Sequence, residues 1–352
     1  MSPKGATSKL AEYHAKRDFG ATSEPRGAVS AEDLNRFVIQ QHSATRLHWD
    51  LRLERDGVLA SWALPRGVPW NPKENHLAVR TEDHPMEYLD YHGEIPEGSY
   101  GAGSMIVWDT GTYDTEEWED RKAVVVLHGE RVDGRYSLFA TRGRDWMIHR
   151  MDPPADPDRN APPRDLRPMW ATAGALPKGK AWAFEVRWSG LRVLLLNEPG
   201  LTLLFDAEGN DVSAAFPDIR RIGRAIGSED VILDGVVTAS DGRDSIDRRL
   251  AAKSDSTVRR LARDNPALFI GFDLLWHDGR TRVDAPWEER RARLDSLRLE
   301  DAHWQVPAAH VGDGPALAAA ARERGVSGLI AKKVRSTYAA GETSADWLDV
   351  AL

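Results

Sequence analysis

A short stretch of the chain, TRLHWDLRLERDG at residues 45–57, alternates between polar and apolar residues along most of its length. Strand side chains point to opposite faces with a period of two, so the stretch predicts a strand with two different faces. One face carries ionisable side chains, namely Arg46, His48, Asp50, Arg52 and Glu54. The other face carries apolar side chains, namely Leu47, Trp49, Leu51 and Leu53. We therefore expect the apolar face to line a hydrophobic core and the polar face to line a site.

The chain divides into two parts around residues 151–180, which are rich in proline and charge and predict an extended linker. Residues 1–150 contain short alternating stretches separated by glycine-containing turns, as is typical of an antiparallel β-barrel or sandwich. Residues 181–352 mix strand-like runs with helical stretches and predict an α+β domain. A length of 352 residues agrees with two domains, because one core rarely grows beyond about 250–300 residues.

The composition limits the kinds of site that the chain can hold. Cysteine is absent, which excludes disulfides and thiolate metal sites and leaves histidine, carboxylate and carbonyl ligands. Most of the 11 histidines precede residue 151, so a histidine-based site is expected there. A net charge of −8 argues against a histone-like nucleic-acid binder but leaves local phosphate sites open. Without a signal-peptide core or a run of about 20 apolar residues, we expect a soluble, cytoplasmic protein with no membrane partner.

The polar face of the predicted strand has the residue types of a metal site. His48 and Asp50 are two residues apart on that face, and His42 ends the preceding segment RFVIQQHS. Two imidazoles and one carboxylate can hold Mn²⁺, Fe²⁺ or Zn²⁺ with open positions for substrate and water. Arg52, one step further along the face, fits an anionic ligand because a guanidinium can hold two phosphate oxygens at once. The alternative is an exposed polar face with cross-strand ion pairs.

Several motifs in order extend this hypothesis: QQHSATRLHWDLRLE, WALPRG, LAVRTEDHPMEY and GEIPEGSYGAGSMIVWDTGTY. Together they resemble the 3′-phosphoesterase domain of bacterial ligase D, over roughly residues 12–150. The resemblance implies a small β-barrel that needs a divalent metal, usually manganese. It also implies removal of 3′-phosphates and 3′-ribonucleotides from DNA or DNA/RNA ends.

The resemblance assigns roles to individual residues. The metal ligands match His42, His48 and Asp50, and the catalytic, phosphate-contacting residues match Arg52, His84 and Tyr88. Arg52 and a protonated His84 would neutralise charge on the phosphoryl oxygens, or His84 would donate a proton to the leaving 3′-oxygen. The substrate-binding residues match Arg17, Asp18, Glu24, Arg66 and His76.

The first three substrate-binding residues lie in KRDFGATSEP, which resembles a flexible N-terminal arm needed mainly for ribonucleotide removal. His76 stands where many relatives carry an arginine.

Residues 181–352 resemble the nucleotidyltransferase (adenylation) domain of ATP-dependent DNA ligases, through motifs such as FEVRWSGLRVLLL, ILDGVV and SGLIAKKVRSTYAAG. The family's Lys-x-Asp-Gly motif supplies the lysine that attacks ATP, but here it reads RWSG, with Arg187 and Ser189. Arginine stays protonated and has no lone pair for that attack. Further family positions for charged residues hold Ala207, Val236 and Ser327, whereas Lys332 is retained. We expect a ligase domain that lacks the OB-fold.

These motifs predict a Mn²⁺-dependent 3′-phosphoesterase in DNA repair, fused to a degenerate ligase domain that does not use ATP. One alternative is an ATP-dependent DNA ligase with atypical motifs. Another is a non-catalytic scaffold that binds DNA ends. The expected partners are nucleic-acid 3′ ends and a separate DNA ligase, a polymerase or primase, or an end-binding protein.

Overall fold

A computed structural model of the chain describes residues 9–30, 34–154 and 156–352. The chain forms two compact units, Met1–Pro157 and Asp158–Leu352. No helix within the described ranges is long and apolar enough to cross a membrane.

The first unit is built on one antiparallel sheet. Its strands are β1 (Arg36–Ser43), β2 (Leu47–Arg55), β3 (Val58–Leu64), β4 (Asn75–Arg80), β5 (Gly93–Ile95), β6 (Gly103–Glu119), β7 (Lys122–Gly129), β8 (Asp133–Arg142) and β9 (Asp145–Arg150). They are ordered β1-β2-β3-β4-β9-β8-β7-β6-β5, and an additional pairing of β1 with β6 closes eight strands into a barrel. The β-barrel expected for this part of the chain is therefore confirmed.

Residues 47–57 form strand β2 together with its hairpin turn. Asp56 and Gly57 connect β2 to β3 and have φ values of 51° and 79°. Positive φ at both central residues is the requirement of the type I′ hairpin turn, which Asp-Gly satisfies well. The apolar face of β2 lies in the barrel core as expected, and its buried members are Leu47, Trp49, Leu51 and Leu53.

The N-terminal segment packs against the outside of the barrel. It contains helix α1 (Ala11–Ala15), and a 3₁₀ helix (Met86–Leu89) lies close by. Leu10 and Tyr13 are buried in one apolar cluster with Tyr88 and Leu89. The described part of the predicted flexible arm is therefore a packed segment, because its apolar side chains find a complementary surface on the barrel.

The second unit is an α+β domain, as expected. Its strands are β10 (Trp170–Ala173), β11 (Trp182–Val186), β12 (Leu191–Glu198), β13 (Leu201–Asp206), β14 (Val231–Ala239), β15 (Ala267–His277), β16 (Arg280–Thr281), β17 (Trp304–Gln305), β18 (His310–Val311), β19 (Gly328–Lys333) and β20 (Thr343–Ala351). Its α-helices are α2 (Gly223–Ile226), α3 (Arg243–Leu250), α4 (Asp255–Asp264), α5 (Trp287–Ser296) and α6 (Gly314–Glu323). Two short 3₁₀ helices are Ser213–Ala215 and Ile219–Ile222.

Two sheets form the centre of this unit. One has the order β10-β20-β19-β11-β18, and the other has the order β13-β12-β14-β15-β16, with β17 paired to β15. Helix α5 lies against β15, and α6 lies against β11 and β19.

The structure differs from the predicted linker over most of its length. Strand β10 pairs in parallel with β20 at the edge of the five-stranded sheet, and Met169, just before it, is fully buried. Arg159 forms ion pairs with Asp230 and Asp278 at 2.5 and 2.7 Å. A proline-rich sequence cannot form a helix, but it can lie extended at a sheet edge, so residues 158–180 belong to the second unit.

Candidate active site

The predicted metal ligands meet on the first two strands of the barrel. His42 on β1 lies directly opposite His48 on β2, and Asp50 follows two residues later on the same face of β2. One ligand atom from each residue lies within 4.8 Å of the other two. The Asp50 carboxylate is 3.6 Å from His42 Nδ1 and 3.8 Å from His48 Nε2. The strand register alone brings together three residues that the sequence separates by a turn.

Backbone carbonyls fix the hydrogens on both imidazoles. His42 Nε2 lies 2.8 Å from the Gly101 carbonyl, and His48 Nδ1 lies 2.9 Å from the Arg46 carbonyl. A carbonyl oxygen can only accept, so each of these nitrogens carries the hydrogen and donates it. The opposite nitrogens, His42 Nδ1 and His48 Nε2, therefore present lone pairs towards Asp50. Orienting contacts of this kind are typical of metal-binding histidines.

Arg52 links the metal cluster to a position for an anion. Its Nη2 donates to Asp50 at 3.0 Å, and its Nε donates to the Gln40 side chain at 2.7 Å. Burial by itself raises the pKa of Asp50, but the positive charge of Arg52 opposes it, and the pKa lies well below its usual range. Arg52 Nη1 is buried without a hydrogen-bond partner among the described residues. A buried unpaired guanidinium donor is costly, and a phosphate oxygen would satisfy it.

His84 lies beside this cluster in its neutral form. Its Nδ1 donates to the Glu82 carbonyl at 2.8 Å, and its Nε2 accepts from Arg17 Nη2 at 3.2 Å. Burial, Arg52 and Arg17 hold the pKa of His84 well below its usual value. Burial and two neighbouring guanidinium groups thus disfavour the protonated His84 of the sequence-based expectation, because these groups already supply positive charge at this position.

Tyr88 lies against both His84 and Arg52. Its ring centroid is 4.7 Å from that of His84 and 4.8 Å from the Arg52 guanidinium carbon. Its hydroxyl donates to the Glu24 carboxylate. Burial raises the pKa of Tyr88 far above its usual value, so the hydroxyl stays protonated.

Two of the three predicted arm residues reach the site. Arg17 donates to Glu24 at 2.7 Å and to Glu82 at 2.8 Å, and all three side chains are buried. Asp18 is exposed, and its carboxylate accepts from the Gly20 N–H at 3.0 Å within a turn. The structure thus brings Arg17 and Glu24 to His84 and Tyr88 but places the Asp18 side chain at the surface. The exposed position of Asp18 therefore does not support the expected contact between this side chain and the substrate.

The second unit contains a cavity of about 390 Å³ between its two sheets. The residues at the former ligase-motif positions that line it are Arg187, Ala207, Val236 and Lys332. Trp170, Trp188, Phe272 and Trp347 give the cavity aromatic walls.

The cationic side chains of this cavity already have acidic partners. Arg187 donates to Asp349 at 2.7 Å and to the Ser327 hydroxyl at 3.1 Å. Lys332 is buried and pairs with Glu185 at 2.8 Å. Ser189 is exposed beside the cavity and does not line it. Both cationic side chains at the ligase-motif positions are therefore ion-paired in this structure.

Comparison with known protein families identifies both units. Residues 40–140 match the family model described as the DNA ligase D 3′-phosphoesterase domain. Residues 168–350, more than half of the chain, match the model described as the ATP dependent DNA ligase domain. The chain belongs to the ATP-dependent DNA ligase domain family. Its first unit is accordingly called the phosphoesterase domain and its second the ligase domain.

Curated relatives align with nearly the whole of this chain. The multifunctional non-homologous end joining protein LigD of Mycolicibacterium smegmatis is 39% identical over 97% of this chain and 45% of the relative. The protein of that name from Pseudomonas aeruginosa is 33% identical over 96% of this chain and 46% of the relative. The chain thus spans about half the length of these relatives. Among solved structures, the ligase domain of LigD from M. tuberculosis is 32% identical over 54% of this chain and 60% of that chain, with a TM-score of 0.45.

Arg66 and His76 form a separate group in the phosphoesterase domain. Arg66 Nη2 and His76 Nε2 lie 3.5 and 3.7 Å from the carboxylate of Glu74. His76 Nδ1 donates to the Gly67 carbonyl at 2.8 Å, and burial lowers the pKa of this imidazole. A neutral His76 is a weaker phosphate contact than the arginine expected at this position.

Sequence analysis missed two residues that hold the phosphoesterase site together. Gln40 accepts from Arg52 and donates to the carbonyls of Tyr88 and Tyr91 at 2.9 and 2.8 Å. Glu82 binds Arg17. Gln40 lies two residues before His42, and Glu82 lies two residues before His84. The period-two rule that selected the metal ligands could have found Gln40, which shares strand β1 with His42, but not Glu82, which lies outside the strands.

Proposed function

We propose that the chain is a Mn²⁺-dependent phosphoesterase that removes 3′-phosphates and 3′-ribonucleotides from DNA ends during end joining in the cytoplasm. The observation that carries the proposal is the cluster of His42, His48 and Asp50 beside the unsatisfied guanidinium of Arg52. Two imidazole lone pairs and an ionised carboxylate that converge on one point fit a divalent transition metal. Manganese is the ion that the family resemblance favours.

A divalent metal held by this cluster would polarise a phosphoryl oxygen and lower the pKa of a bound water. The protein's own groups then have three tasks. Arg52 binds the phosphate through Nη1 and holds Asp50 ionised through Nη2. Arg17 adds a second positive charge on the side of His84. Stabilising charge that develops on the phosphoryl oxygens is the main electrostatic requirement of phosphoryl transfer.

His84 can serve proton transfer in its neutral form. Its Nε2 has a lone pair that now accepts from Arg17, and a dianionic phosphate would compete for that guanidinium. An imidazole relieved of one neighbouring cation and placed beside an anion has a higher pKa, since both changes favour the charged form. His84 would then take up a proton only when substrate is bound, which suits a group that must later donate it to the leaving oxygen.

In this proposal the ligase domain does not seal DNA. Arg187 stands at the position of the attacking lysine, and its guanidinium is committed to Asp349 and Ser327. Lys332 is committed to Glu185 and to the Phe272 carbonyl at 3.1 Å. ATP is then not a cofactor, and a separate DNA ligase, together with a polymerase, primase or end-binding protein, would complete repair.

To test the proposal, a primer–template that ends in a 3′-phosphate is incubated with the full chain and increasing Mn²⁺, and the release of phosphate is measured. We expect phosphate release that depends on the metal and stops in excess chelator. Release that persists in chelator would contradict the metal assignment. No release with Mn²⁺ or other divalent ions would contradict the proposed function.

A further inference from the structure

Tyr100 stands at the tip of the loop between strands β5 and β6, within two consecutive turns. Ser99 N–H donates to the Pro96 carbonyl at 3.1 Å, and Ala102 N–H donates to the Ser99 carbonyl at 3.2 Å. Gly98 and Gly101 are the third residues of these turns, and their φ values of 86° and 75° are those that type II turns require. Tyr100 is the second residue of the second turn and is 50% exposed.

The metal cluster itself holds this turn in place. Gly101, next to Tyr100, accepts the hydrogen bond from His42 Nε2 at 2.8 Å. The same imidazole offers its other nitrogen to the candidate metal position. One histidine ring therefore spans the distance between the backbone next to Tyr100 and the candidate metal position. The exposed tyrosine lies beside the candidate site for this reason.

Two cations lie against the Tyr100 ring. Lys16 Nζ is 5.0 Å from the ring centroid, and the Arg17 guanidinium carbon is 5.5 Å from it. Both cations pair with the same carboxylate, that of Glu82, at 2.9 and 2.8 Å, so they lie close to each other beside the ring. Half of the Tyr100 surface remains exposed with both cations in place. Arg17 also contacts His84, which connects the ring to the phosphate position.

A large aromatic side chain that is exposed beside a phosphate site has the chemistry of a stacking platform. Every nucleobase has an apolar face that stacks on aromatic rings, and the adjacent phosphates need cations. Here the half-exposed Tyr100 has Lys16 and Arg17 beside its ring. We propose that Tyr100 stacks on the terminal base of the strand whose 3′ group is bound at the metal cluster. This inference rests on the proposed function and names the contact that recognises the nucleoside part of the substrate.

The test measures stacking directly and needs no catalysis. Single-stranded DNA that ends in 2-aminopurine 3′-phosphate is titrated with the full chain in excess chelator, and the fluorescence of 2-aminopurine reports stacking. We expect the wild-type chain to quench the fluorescence and Tyr100→Ala to bind about tenfold more weakly. Tyr100→Phe and Tyr100→Trp should retain the quenching, because they keep an aromatic face. Leu77→Ala, at another exposed apolar side chain, is the control and should bind as the wild type does.

A second strand, with an abasic terminal sugar and an internal reporter, separates stacking from other roles. Tyr100→Ala should bind this strand as well as the wild type does, because no terminal base is present. Equal quenching by the wild type and Tyr100→Ala would overturn the inference. Equal weakening on the base-bearing and abasic strands would also overturn it, since Tyr100 would then only support Lys16 and Arg17. A failure of the proposed function would appear in a different experiment, as the absence of phosphate release with Mn²⁺. The fluorescence titration would still show whether Tyr100 stacks on the terminal base.

Discussion

At the scale of single residues, the direction of a few hydrogens decides what the phosphoesterase site can do. The carbonyls of Gly101 and Arg46 hold the hydrogens of His42 and His48 away from the metal position, so both ligands are ready without rearrangement. Pre-oriented ligands of this kind bind metal without an ordering cost at the time of binding.

Removal of one imidazole should abolish the metal-dependent reaction. His48→Ala leaves only two ligands, and the loss of several kcal/mol of transition-state stabilisation predicts a rate at least about a hundredfold lower. The rate is measured as release of phosphate from a 3′-phosphate end at saturating Mn²⁺. His149→Ala is the matched control, because that histidine lies on β9 and binds Asn75. Mn²⁺-stimulated activity in His48→Ala close to that of the wild type would contradict the ligand assignment.

Arg187 should prevent covalent adenylation of the ligase domain. The attack on the α-phosphate of ATP needs a neutral amine, and a guanidinium remains protonated. We expect no labelled adenylate with α-labelled ATP and Mg²⁺ or Mn²⁺, and no sealing of nicked DNA. Arg187→Lys alone should also fail, because Ala207, Val236 and Ser327 do not supply the charges of the ligase motifs. A labelled, acid-labile band that disappears in Lys332→Ala would restore the ligase hypothesis.

At the scale of elements, the N-terminal segment completes a site that the barrel strands begin. Helix α1 and the residues after it bring Arg17 and Glu24 against His84 and Tyr88. The Arg17 side chain is only 5% exposed, and it binds two carboxylates whose side chains are almost fully buried. Removing one member of a buried ion-pair network leaves uncompensated charge, which costs about 3–5 kcal/mol.

Arg17→Ala and Asp18→Ala should therefore behave differently, although the two residues are adjacent. Arg17→Ala should lower the thermal stability of the phosphoesterase domain and impair ribonucleotide removal more than phosphate removal. Asp18→Ala should change the free energy of unfolding by less than about 0.5 kcal/mol, since this side chain is exposed. Parallel assays on 3′-ribonucleotide and 3′-phosphate ends measure the ratio of the two activities in each variant and in the wild type. An equal loss of both activities in Arg17→Ala would remove the case for a specialised segment.

At the scale of the whole molecule, each unit has its own hydrophobic core. The barrel core contains Trp49 and Trp62, and the main core of the ligase domain contains Phe216 and Phe269. A ligand that binds only the native form of one domain stabilises that domain by an amount set by its concentration relative to Kd.

Mn²⁺ should therefore shift only one thermal transition. At about one hundred times its Kd, the metal adds about 2.7 kcal/mol, which predicts an increase in Tm of about 5–10 °C for a domain of this size. His48→Ala should abolish the shift, and ATP should shift neither transition. Differential scanning calorimetry with and without each ligand measures these changes. A Tm increase with ATP comparable to that with Mn²⁺ would contradict a ligase domain that does not use ATP.

The sequence by itself determined those features that depend on nearest neighbours or on side-chain chemistry. A period of two fixed the faces of β2, and Asp56-Gly57 fixed its type I′ turn. The spacing from His42 to Asp50 indicated the metal cluster because a hairpin needs only a short turn to bring these residues together. The lack of a nucleophilic amine at position 187 follows from the chemistry of arginine alone, without knowledge of the fold.

Only the tertiary structure decided the features that join distant segments. Arg17 and Glu82 are 65 residues apart, and no local pattern indicates that they pair. Burial, Arg52 and Arg17 together hold the pKa of His84 well below its usual value, which the isolated motif could not reveal. Residues 158–180 have the composition of a linker, yet they form part of the ligase domain because β20, far along the chain, offers an edge to pair with. The pKa of a side chain and the pairing of an edge strand both depend on the residues that are close in space, and only the folded chain determines which residues those are.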